Sequence, residues 1–376
     1  MTGLRMRSIG YGGRLRANVA SVGDDAPRIT LIPSVGEYPV YDEKLYSMMT
    51  ADALRVEAFD RALRGCASGR TVVDIGTGAE ANWALVAAEA GATKVWAIEA
   101  LPESAEKARA LIAERGFADV ITVLTGDSRT IELPEPADVC VSETIGAIAS
   151  SEGICEIFAD AKRRLVRPSG IFIPHRVETV AVPFDYAAVL GAAGPAFQAE
   201  YALYVDRVFQ SVGGPFDLRL CWTDVPDSGR LAAPTTVEVL EFGVADYDYA
   251  VHESRVRIDR AGQFGGIALG IRLWVSPDDQ EPIDSIAQQT SWLPVFVPAT
   301  VENPRAVAVG DEFDLSFAVQ LSADRIHPDY QLTARFTDQP HADIDWDGKY
   351  LGGAEFRSTP FYRDLFAAYP ATFRGE

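Results

Sequence analysis

The chain has 376 residues, of which 48% are hydrophobic and 23% charged, values typical of a globular protein rather than a disordered one. It carries 34 basic and 54 acidic residues, and the resulting net charge of −20 disfavours nucleic acid and anionic membranes as partners. The four cysteines lie far apart without a C-x-x-C pair, so we expect neither a disulfide framework nor a bound metal. They are Cys66, Cys140, Cys155 and Cys221.

The amino terminus gives no sign of export. Residues 1–11 include basic side chains, but no apolar segment follows them, and no stretch approaches about 18 consecutive apolar residues. We therefore expect a cytoplasmic protein without a membrane span. Arginine far outnumbers lysine, which favours a bacterial source with a GC-rich genome.

The hydrophobic pattern divides the chain into four regions. Residues 1–36 form a mixed N-terminal segment, and residues 37–70 have apolar positions at helical spacing over 41–64. Residues 71–175 alternate β-branched runs with helical runs, which predicts a doubly wound parallel sheet. Residues 176–376 predict an antiparallel β domain, and within it residues 185–213 predict an inserted helical arm. The clearest runs of alternating residues in this last region are 177–182, 236–240, 267–275 and 313–319.

A glycine-rich turn follows the first predicted strand of the parallel sheet. The run VVDIGTG at 72–78 is a strand that ends in Gly76 and Gly78 and opens a helix, so its backbone can approach a ligand at the helix amino terminus. Ala81 replaces the third glycine of a G-x-G-x-x-G motif, and Glu80 would repel a pyrophosphate. A dinucleotide ligand is therefore disfavoured.

Acidic residues follow the next two strands. Glu99 ends the strand at 95–98, where a carboxylate can accept hydrogen bonds from both ribose hydroxyls, and Asp127 is placed to meet an adenine amino group. This arrangement resembles the seven-stranded class I methyltransferase fold, which binds S-adenosylmethionine. The resemblance implies a cofactor site that includes Asp74, Gly76, Gly78, Glu99, Asp127 and Ser128.

Two glutamates lie beyond a further buried strand, residues 137–141. Glu143 and Glu152 bound a segment of small or apolar residues, which we name the double-glutamate loop. Gly146 would let this loop turn back so that both carboxylates face one forked, planar cation. Guanidinium is the side-chain group whose fixed donors match such a pair. The spacing therefore indicates a guanidinium site at the carboxyl end of the sheet.

Taken together, these segments resemble the protein arginine N-methyltransferase family from about Tyr38 onward. The motif S-E-x-x-G with a second glutamate nine residues after the first is similar to the family's double-glutamate loop, which implies that Glu143 and Glu152 are catalytic and bind the substrate, and that Glu143 also contacts the cofactor. The run MTADALR at 49–55 is similar to the family helix M-x-x-D-x-x-R. By that resemblance Arg55 binds the cofactor carboxylate and Met49 lines the methyl-transfer site.

Other segments carry the same resemblance. Tyr38 and Tyr41 precede the helix, as a tyrosine-bearing substrate segment does in the family. The run TSW at 290–292 is similar to the family's threonine-histidine-tryptophan loop, so Ser291 and Trp292 are expected at the substrate site, with Ser291 in place of a histidine that supports an acidic partner. The family architecture implies a β-barrel at 176–376 and a homodimer formed through the helical arm.

The departures from the family bear on function. Arg129 stands where a glutamate commonly contacts adenine, so Asp127 or Ser128 would replace it. We expect an S-adenosylmethionine-dependent arginine N-methyltransferase and favour free L-arginine or a small guanidino compound of bacterial secondary metabolism as substrate. The alternatives are a protein methyltransferase acting on Arg-Gly-rich polypeptides, a class I methyltransferase with another nucleophile, and a non-catalytic binding protein.

Overall fold

The structure is a computed structural model of the chain. It describes residues 7–11, 15–20, 31–35, 49–185, 196–198, 215–216, 218–222, 225, 227–244, 247–299, 305–338, 342–349 and 351–352. Tyr38 and Tyr41 lie outside the described residues, so their predicted place in the substrate site stays a prediction. Within the described part, no helix is long and apolar enough to cross a membrane.

In the described residues, strands and the helix Ala53–Cys66 precede the parallel sheet. Strands β1 (Arg7–Tyr11) and β2 (Leu15–Ala20) pair antiparallel, and β3 (Leu31–Val35) joins a larger sheet formed by later strands. Helix α1 (Ala53–Cys66) begins after Asp52, whose carboxylate accepts the Arg55 backbone N–H at 3.1 Å and so caps the helix. The described part of the helix predicted at 41–64 is therefore confirmed from Ala53 onward.

The predicted parallel sheet is present between residues 71 and 173. Its strands are ordered β6-β5-β4-β7-β8, and all neighbours run parallel. The order reverses at β4, so the crevice at the carboxyl ends of β4 and its neighbours is where such a sheet binds ligands. The strands are β4 (Thr71–Ile75), β5 (Lys94–Glu99), β6 (Ile121–Thr125), β7 (Ala137–Ser142) and β8 (Val166–Ile173). The helices are α2 (Asn82–Glu89), α3 (Pro102–Glu114) and α4 (Ile154–Arg164).

This sheet has five strands in the described residues, whereas the class resemblance implied seven. After β8 the chain leaves the parallel sheet and continues into β9, which pairs antiparallel with β13 and β15 of a second sheet. The strands from here on are β9 (Arg176–Asp185), β10 (Ala196–Gln198), β11 (Pro215–Phe216), β12 (Leu218–Trp222), β13 (Thr235–Glu241), β14 (Val251–Arg257), β15 (Gly262–Trp274), β16 (Ile283–Asp284), β17 (Val295–Pro298), β18 (Arg305–Val307), β19 (Glu312–Leu321), β20 (Pro328–Phe336), β21 (Ile344–Gly348) and β22 (Leu351–Gly352).

Most strands in the second half of the described chain belong to two antiparallel sheets. One has eight strands, with β13-β9-β15-β17-β12-β3 as its main order, and the other has four, β14-β19-β20-β21. Phe264 of the first sheet packs against Phe313 and Phe336 of the second, with ring centroids 5.6 and 5.3 Å apart. Among the described residues no hydrogen-bonded strand pair joins the two sheets, so closure into a barrel stays a prediction.

The predicted helical arm at 185–213 lies mostly outside the described residues. Of that range the structure describes Asp185, which ends β9, and Ala196–Gln198, which form β10. These residues are extended rather than helical, so the helix prediction is wrong for them. Strand β10 pairs parallel with β2, and this long-range pairing, which the local run of alanine, leucine and aromatic residues does not encode, explains the difference.

Candidate active site

The glycine turn after β4 has the backbone conformation that its glycines predicted. Gly76 and Gly78 have φ values of +76° and +67°, in the left-handed region that glycine adopts without steric cost. Ala81, at the place of the missing third glycine, also has a positive φ of 46° and is the N-cap of α2. An alanine therefore adopts a glycine-like conformation there, at a cost of roughly 1–2 kcal/mol.

Glu99 connects this turn to the end of the neighbouring strand. Its two carboxylate oxygens accept backbone N–H groups from Gly78 and Leu101, both at 2.9 Å. Each carboxylate oxygen has two lone pairs, so Glu99 keeps acceptor capacity on the side of the crevice. Its predicted contact with a ribose is compatible with this geometry and stays a prediction.

Asp74 lies beneath the glycine turn and is fully buried. The Thr77 hydroxyl donates a hydrogen bond to its Oδ2 at 2.6 Å, while Oδ1 has no hydrogen-bond partner among the described residues. Burial raises the pKa of Asp74 to about 7, and the Thr77 hydrogen bond opposes that rise. The carboxyl group is thus poised between its neutral and charged forms near neutral pH.

Asp127, the predicted adenine contact, is held by its neighbour Arg129. The Arg129 backbone N–H and Nε donate to Asp127 Oδ1 at 2.9 and 3.0 Å, and Nη2 donates to Oδ2 at 2.5 Å. These hydrogen bonds lower the pKa of Asp127. Ser128 is buried, and its backbone carbonyl accepts Arg164 Nη2 at 2.8 Å. Adenine would have to share Asp127 with Arg129, and its recognition here stays a prediction.

Glu143 emerges after β7 and binds a guanidinium. Arg55 Nη2 donates to Glu143 Oε2, and the two side chains are only 7% and 5% exposed. Arg55 Nη1 also donates to the Met49 carbonyl at 3.1 Å, and its guanidinium carbon lies 5.5 Å from the ring centre of Trp83. Burial raises the pKa of Glu143, while the Arg55 charge and hydrogen bond oppose the rise.

Gly146 allows the double-glutamate loop to turn back on itself, as predicted. A Cβ atom at this position would lie 1.8 Å from Ser151 Oγ and 3.2 Å from the Cγ of Glu152. Only a residue without a side chain permits this approach. Glu152, which is half-buried, is therefore brought back against the early part of the loop that begins with Glu143.

The loop around Trp292 joins the site from the antiparallel half. The Ser291 backbone N–H and hydroxyl both donate to Asp52 Oδ2, at 2.6 and 2.9 Å. The Trp292 indole N–H donates to the carbonyl of Ile145, inside the double-glutamate loop, at 2.9 Å. Ser291, which stands in place of the family histidine, is therefore paired with an acidic residue, Asp52.

The structure thus brings most of the predicted residues together at one edge of the sheet. It also places two residues there that were not predicted as site residues. Asp52 could have been found, because it is the acidic residue of the M-x-x-D-x-x-R motif and three positions before Arg55. Trp83 lies beneath the Arg55 guanidinium, and nothing in its helical segment signals that contact. In the described residues, no group of three or more metal-ligating side chains is present.

Solved structures match the fold described above. The Trypanosoma brucei PRMT1 enzyme-prozyme heterotetrameric complex with AdoHcy aligns with a TM-score of 0.64 at 17% identity, covering 81% of this chain and 98% of that chain. Arabidopsis thaliana protein arginine methyltransferase 10 aligns with a TM-score of 0.62 at 19% identity, covering 81% and 96%. The described chain therefore has the fold of arginine methyltransferases.

Sequence comparisons point to the same class of protein. The family model described as PRMT5 arginine-N-methyltransferase matches residues 38–173, a range that contains Arg55, the glycine turn and the double-glutamate loop. Protein arginine N-methyltransferase PRMT10 of Arabidopsis thaliana is 31% identical over 47% of this chain and 48% of its own length. The probable histone-arginine methyltransferase 1.3 of the same plant is 44% identical over 31% of this chain and 22% of its length.

A third relative extends the range of organisms. Protein arginine N-methyltransferase 2 of Dictyostelium discoideum is 33% identical over 38% of this chain and 28% of its own length. In each of these three relatives the match spans less than half of the relative's length. They come from a plant and from Dictyostelium, so they give no support to the predicted bacterial source.

Proposed function

We propose that this protein transfers a methyl group from S-adenosylmethionine to a terminal guanidino nitrogen of arginine. The single observation that carries the proposal is the Gly146 turn, which brings Glu152 back toward the start of the loop, where Glu143 lies. Two carboxylates on one folded loop match the forked donors of arginine better than those of a lysine ammonium. The similarity to named arginine methyltransferases supports the same reaction.

The residues around the glycine turn suit the cofactor. Arg55 Nε is buried without a hydrogen-bond partner among the described residues, and an unsatisfied buried donor is suited to a polar ligand. Gly76 and Gly78 let the backbone approach closely. We assign Arg55 to the carboxylate and Glu99 to the ribose. When bound, S-adenosylmethionine would supply an electrophilic methyl group on its sulfonium.

The glutamates would act mainly by orientation and charge. Together they fix the plane of the substrate guanidinium, so that one terminal nitrogen faces the methyl donor, and ordering of this kind supplies much of a rate enhancement. Their negative charge would also offset the repulsion between the substrate guanidinium and the sulfonium of S-adenosylmethionine, which are both cations. Methylation releases one proton from the guanidinium nitrogen, and a carboxylate of the double-glutamate loop would accept it.

We further propose a polypeptide arginine as the substrate rather than free L-arginine. The three relatives described above are named protein or histone-arginine methyltransferases. Part of the reason for expecting a small substrate was the serine at 291. Ser291 nevertheless makes two hydrogen bonds to Asp52, so the replacement does not remove the contact between this loop and the helix cap.

The substrate class can be tested by one assay. Methyl transfer from labelled S-adenosylmethionine is measured with an Arg-Gly-rich peptide and, in parallel, with free L-arginine. The proposal predicts label on the peptide and little on the amino acid. Labelling of free arginine alone would restore the small-molecule substrate, and labelling of neither would favour another nucleophile or a non-catalytic protein.

Three finer features are also proposals. We propose a homodimer that uses the region around 185–213, closure of the two antiparallel sheets into a barrel, and a cytoplasmic location. The heterotetramer named for the Trypanosoma brucei relative supports assembly in general. Light scattering coupled to size-exclusion chromatography tests the first of these directly, because a homodimer would have twice the chain mass of 40.7 kDa. A single-chain mass at micromolar concentration would contradict it.

A further inference from the structure

Two residues of the antiparallel half form buried hydrogen bonds with the double-glutamate loop. The Ala149 backbone N–H donates to the Thr179 hydroxyl of β9 at 3.0 Å, and Ser150 Oγ lies 2.7 Å from the Tyr330 hydroxyl of β20. Both contacts are buried and link residues that are far apart in sequence. The segment between the two glutamates is therefore fixed to two different sheets.

A buried glutamate lies behind the first of these contacts. Glu238 of β13 is 5% exposed, and it accepts hydrogen bonds from the Thr179 hydroxyl at 2.5 Å and from the Tyr247 hydroxyl at 2.9 Å. A hydroxyl has a single proton to donate. Because the Thr179 hydroxyl donates its proton to Glu238, the lone pairs of its oxygen are free to accept the Ala149 N–H. The Glu238 carboxyl group therefore makes Thr179 an acceptor, rather than a donor, toward the double-glutamate loop.

An irregularity in strand pairing aims Glu238 inward. The register between β13 and β9 shifts between Thr236 and Glu238, so that Val237 and Glu238 are both buried, although successive residues of a regular strand point to opposite faces. Such bulges re-aim side chains and are common next to active sites. The sheet therefore departs from its regular pattern at the position that contacts the loop.

Burial of this carboxyl group is costly. Burial raises the pKa of Glu238, against which hydrogen bonds from Ser150, Thr179 and Tyr247 act. A β-branched apolar residue would fill a buried strand position without that desolvation cost. Buried charged groups that lower local stability are concentrated at functional sites, where the position of a group matters more than local stability.

We propose that Glu238 is a positioning residue for the double-glutamate loop and acts on it through Thr179 and through the hydrogen bond that it accepts from Ser150. The inference rests on the proposed function, since it concerns the same loop. Glu238 does not contact the substrate. Glu238 fixes the orientation of the Thr179 hydroxyl, and this hydroxyl accepts a hydrogen bond from the Ala149 backbone N–H. Because Ala149 lies between Glu143 and Glu152, this contact helps to set the positions of the two glutamate side chains.

The chain offers a matched control on the same pair of strands. Glu178 of β9 is 8% exposed and accepts hydrogen bonds from the Thr236 hydroxyl at 3.1 Å and from Arg176 Nη2 at 2.5 Å. It is thus a buried glutamate bonded to a threonine across β9 and β13, but neither partner contacts the double-glutamate loop. Glu238→Ala and Thr179→Val are therefore compared with Glu178→Ala and Thr236→Val.

Two readouts separate positioning from general stability. The first is amide hydrogen exchange at Ala149, which does not depend on activity, and we expect it to accelerate about tenfold or more in Glu238→Ala and Thr179→Val but not in the controls. The second is steady-state kinetics, in which these two variants should lose about 10- to 100-fold in kcat with the KM for S-adenosylmethionine unchanged. Glu238→Gln keeps an acceptor for Thr179 and should restore most of kcat.

The results can overturn the inference without ambiguity. Equal effects in all four variants, or a Glu238→Gln variant as impaired as Glu238→Ala, would contradict positioning through Thr179. Unchanged Ala149 exchange in Glu238→Ala would contradict it as well. If the wild-type protein transferred no methyl group to any arginine substrate, the proposed function would fail, while the exchange measurement would still decide whether Glu238 holds the loop.

Discussion

The two halves of the molecule contribute differently to the candidate site. The α/β half, residues 53–173, supplies the side chains that would contact ligands, among them Arg55, Glu99, Glu143 and Glu152. The antiparallel half supplies groups that hold those side chains in place, through Ser291 on the helix cap and Thr179 on the double-glutamate loop. Substitutions in the α/β half should therefore remove groups that would contact the ligands, whereas substitutions in the antiparallel half should shift the positions of those groups.

The largest effect is expected for the glutamates themselves. Glu143→Gln and Glu152→Gln each remove a charge that would bind and orient the substrate guanidinium, so kcat should fall roughly 10²- to 10³-fold or more. Steady-state methyl transfer to an arginine peptide measures this loss. The matched control is Glu156→Gln, because Glu156 lies four residues beyond Glu152 and accepts a hydrogen bond from Tyr249 instead. An equal loss of kcat in Glu156→Gln would indicate that the substitutions impair folding rather than the binding and orientation of the substrate.

The next effect concerns stability in the α/β half. The pKa of Asp74 is about 7 in the folded protein against 3.8 as its ordinary value, so between about pH 4 and pH 7 the unfolded chain binds fewer protons than the folded one. The contribution of Asp74 to the free energy of unfolding therefore falls as pH rises through this range, by up to about 4 kcal/mol for about three pKa units. Below about pH 4 both states are protonated, and the penalty vanishes.

Asp74→Asn removes this titration and should flatten the pH dependence of stability between pH 4 and pH 7. Urea unfolding at several pH values checks the prediction. Asp119→Asn, at an exposed position after α3, controls for the loss of one charge. If both variants altered the pH profile equally, the titration could not be assigned to Asp74.

A smaller effect is expected at the turn of the double-glutamate loop. In Gly146→Ala the new methyl group would lie 1.8 Å from Ser151 Oγ and 3.2 Å from Glu152 Cγ, so the loop must shift. We expect a loss of about 1–3 kcal/mol in stability, together with a fall in kcat, because Glu152 moves with the loop. Gly65→Ala is the control, since a Cβ there meets nothing within 4 Å. Unchanged kcat in Gly146→Ala would argue against a role for the turn.

The smallest effect is expected for the contact between Ser291 and Asp52. Ser291→Ala removes one hydrogen bond to Asp52 but leaves the one from the Ser291 backbone N–H, so kcat/KM should fall about tenfold or less, equivalent to about 1.4 kcal/mol or less. Ser276→Ala, whose hydroxyl accepts only a local turn hydrogen bond from Asp278 among the contacts described, is the control. A loss as large as that of Glu152→Gln would remove the distinction between the two halves.

The sequence predicted the α/β half well because its signals are local. Each β-branched run that ends in Gly76, Glu99 or Ser142 is a buried parallel strand, and parallel strands bring their carboxyl ends to one edge whatever their register. The close turn at Gly146 could be predicted for the same reason, since a glycine between two carboxylates within one loop is a local pattern.

The antiparallel half could be predicted only in outline. The four alternating runs lie in β9, β13, β15 and β19, so its strands were confirmed. The contact between Glu238 and Thr179 depends on a register shift between β13 and β9, and the hydrogen bonds of Ser291 depend on a partner 239 positions away. Neither pairing leaves a local signal. The extended residues 196–198 were missed because β10 forms by pairing with β2.

The most direct test of the central claim asks whether the double-glutamate loop selects a guanidinium for methyl transfer. Labelled S-adenosylmethionine is supplied to the wild-type protein and to Glu152→Gln, with an Arg-Gly-rich peptide and with the same peptide in which every arginine is replaced by lysine. The account predicts label on the arginine peptide with wild-type protein only. Equal labelling of the lysine peptide, or undiminished transfer by Glu152→Gln, would contradict it.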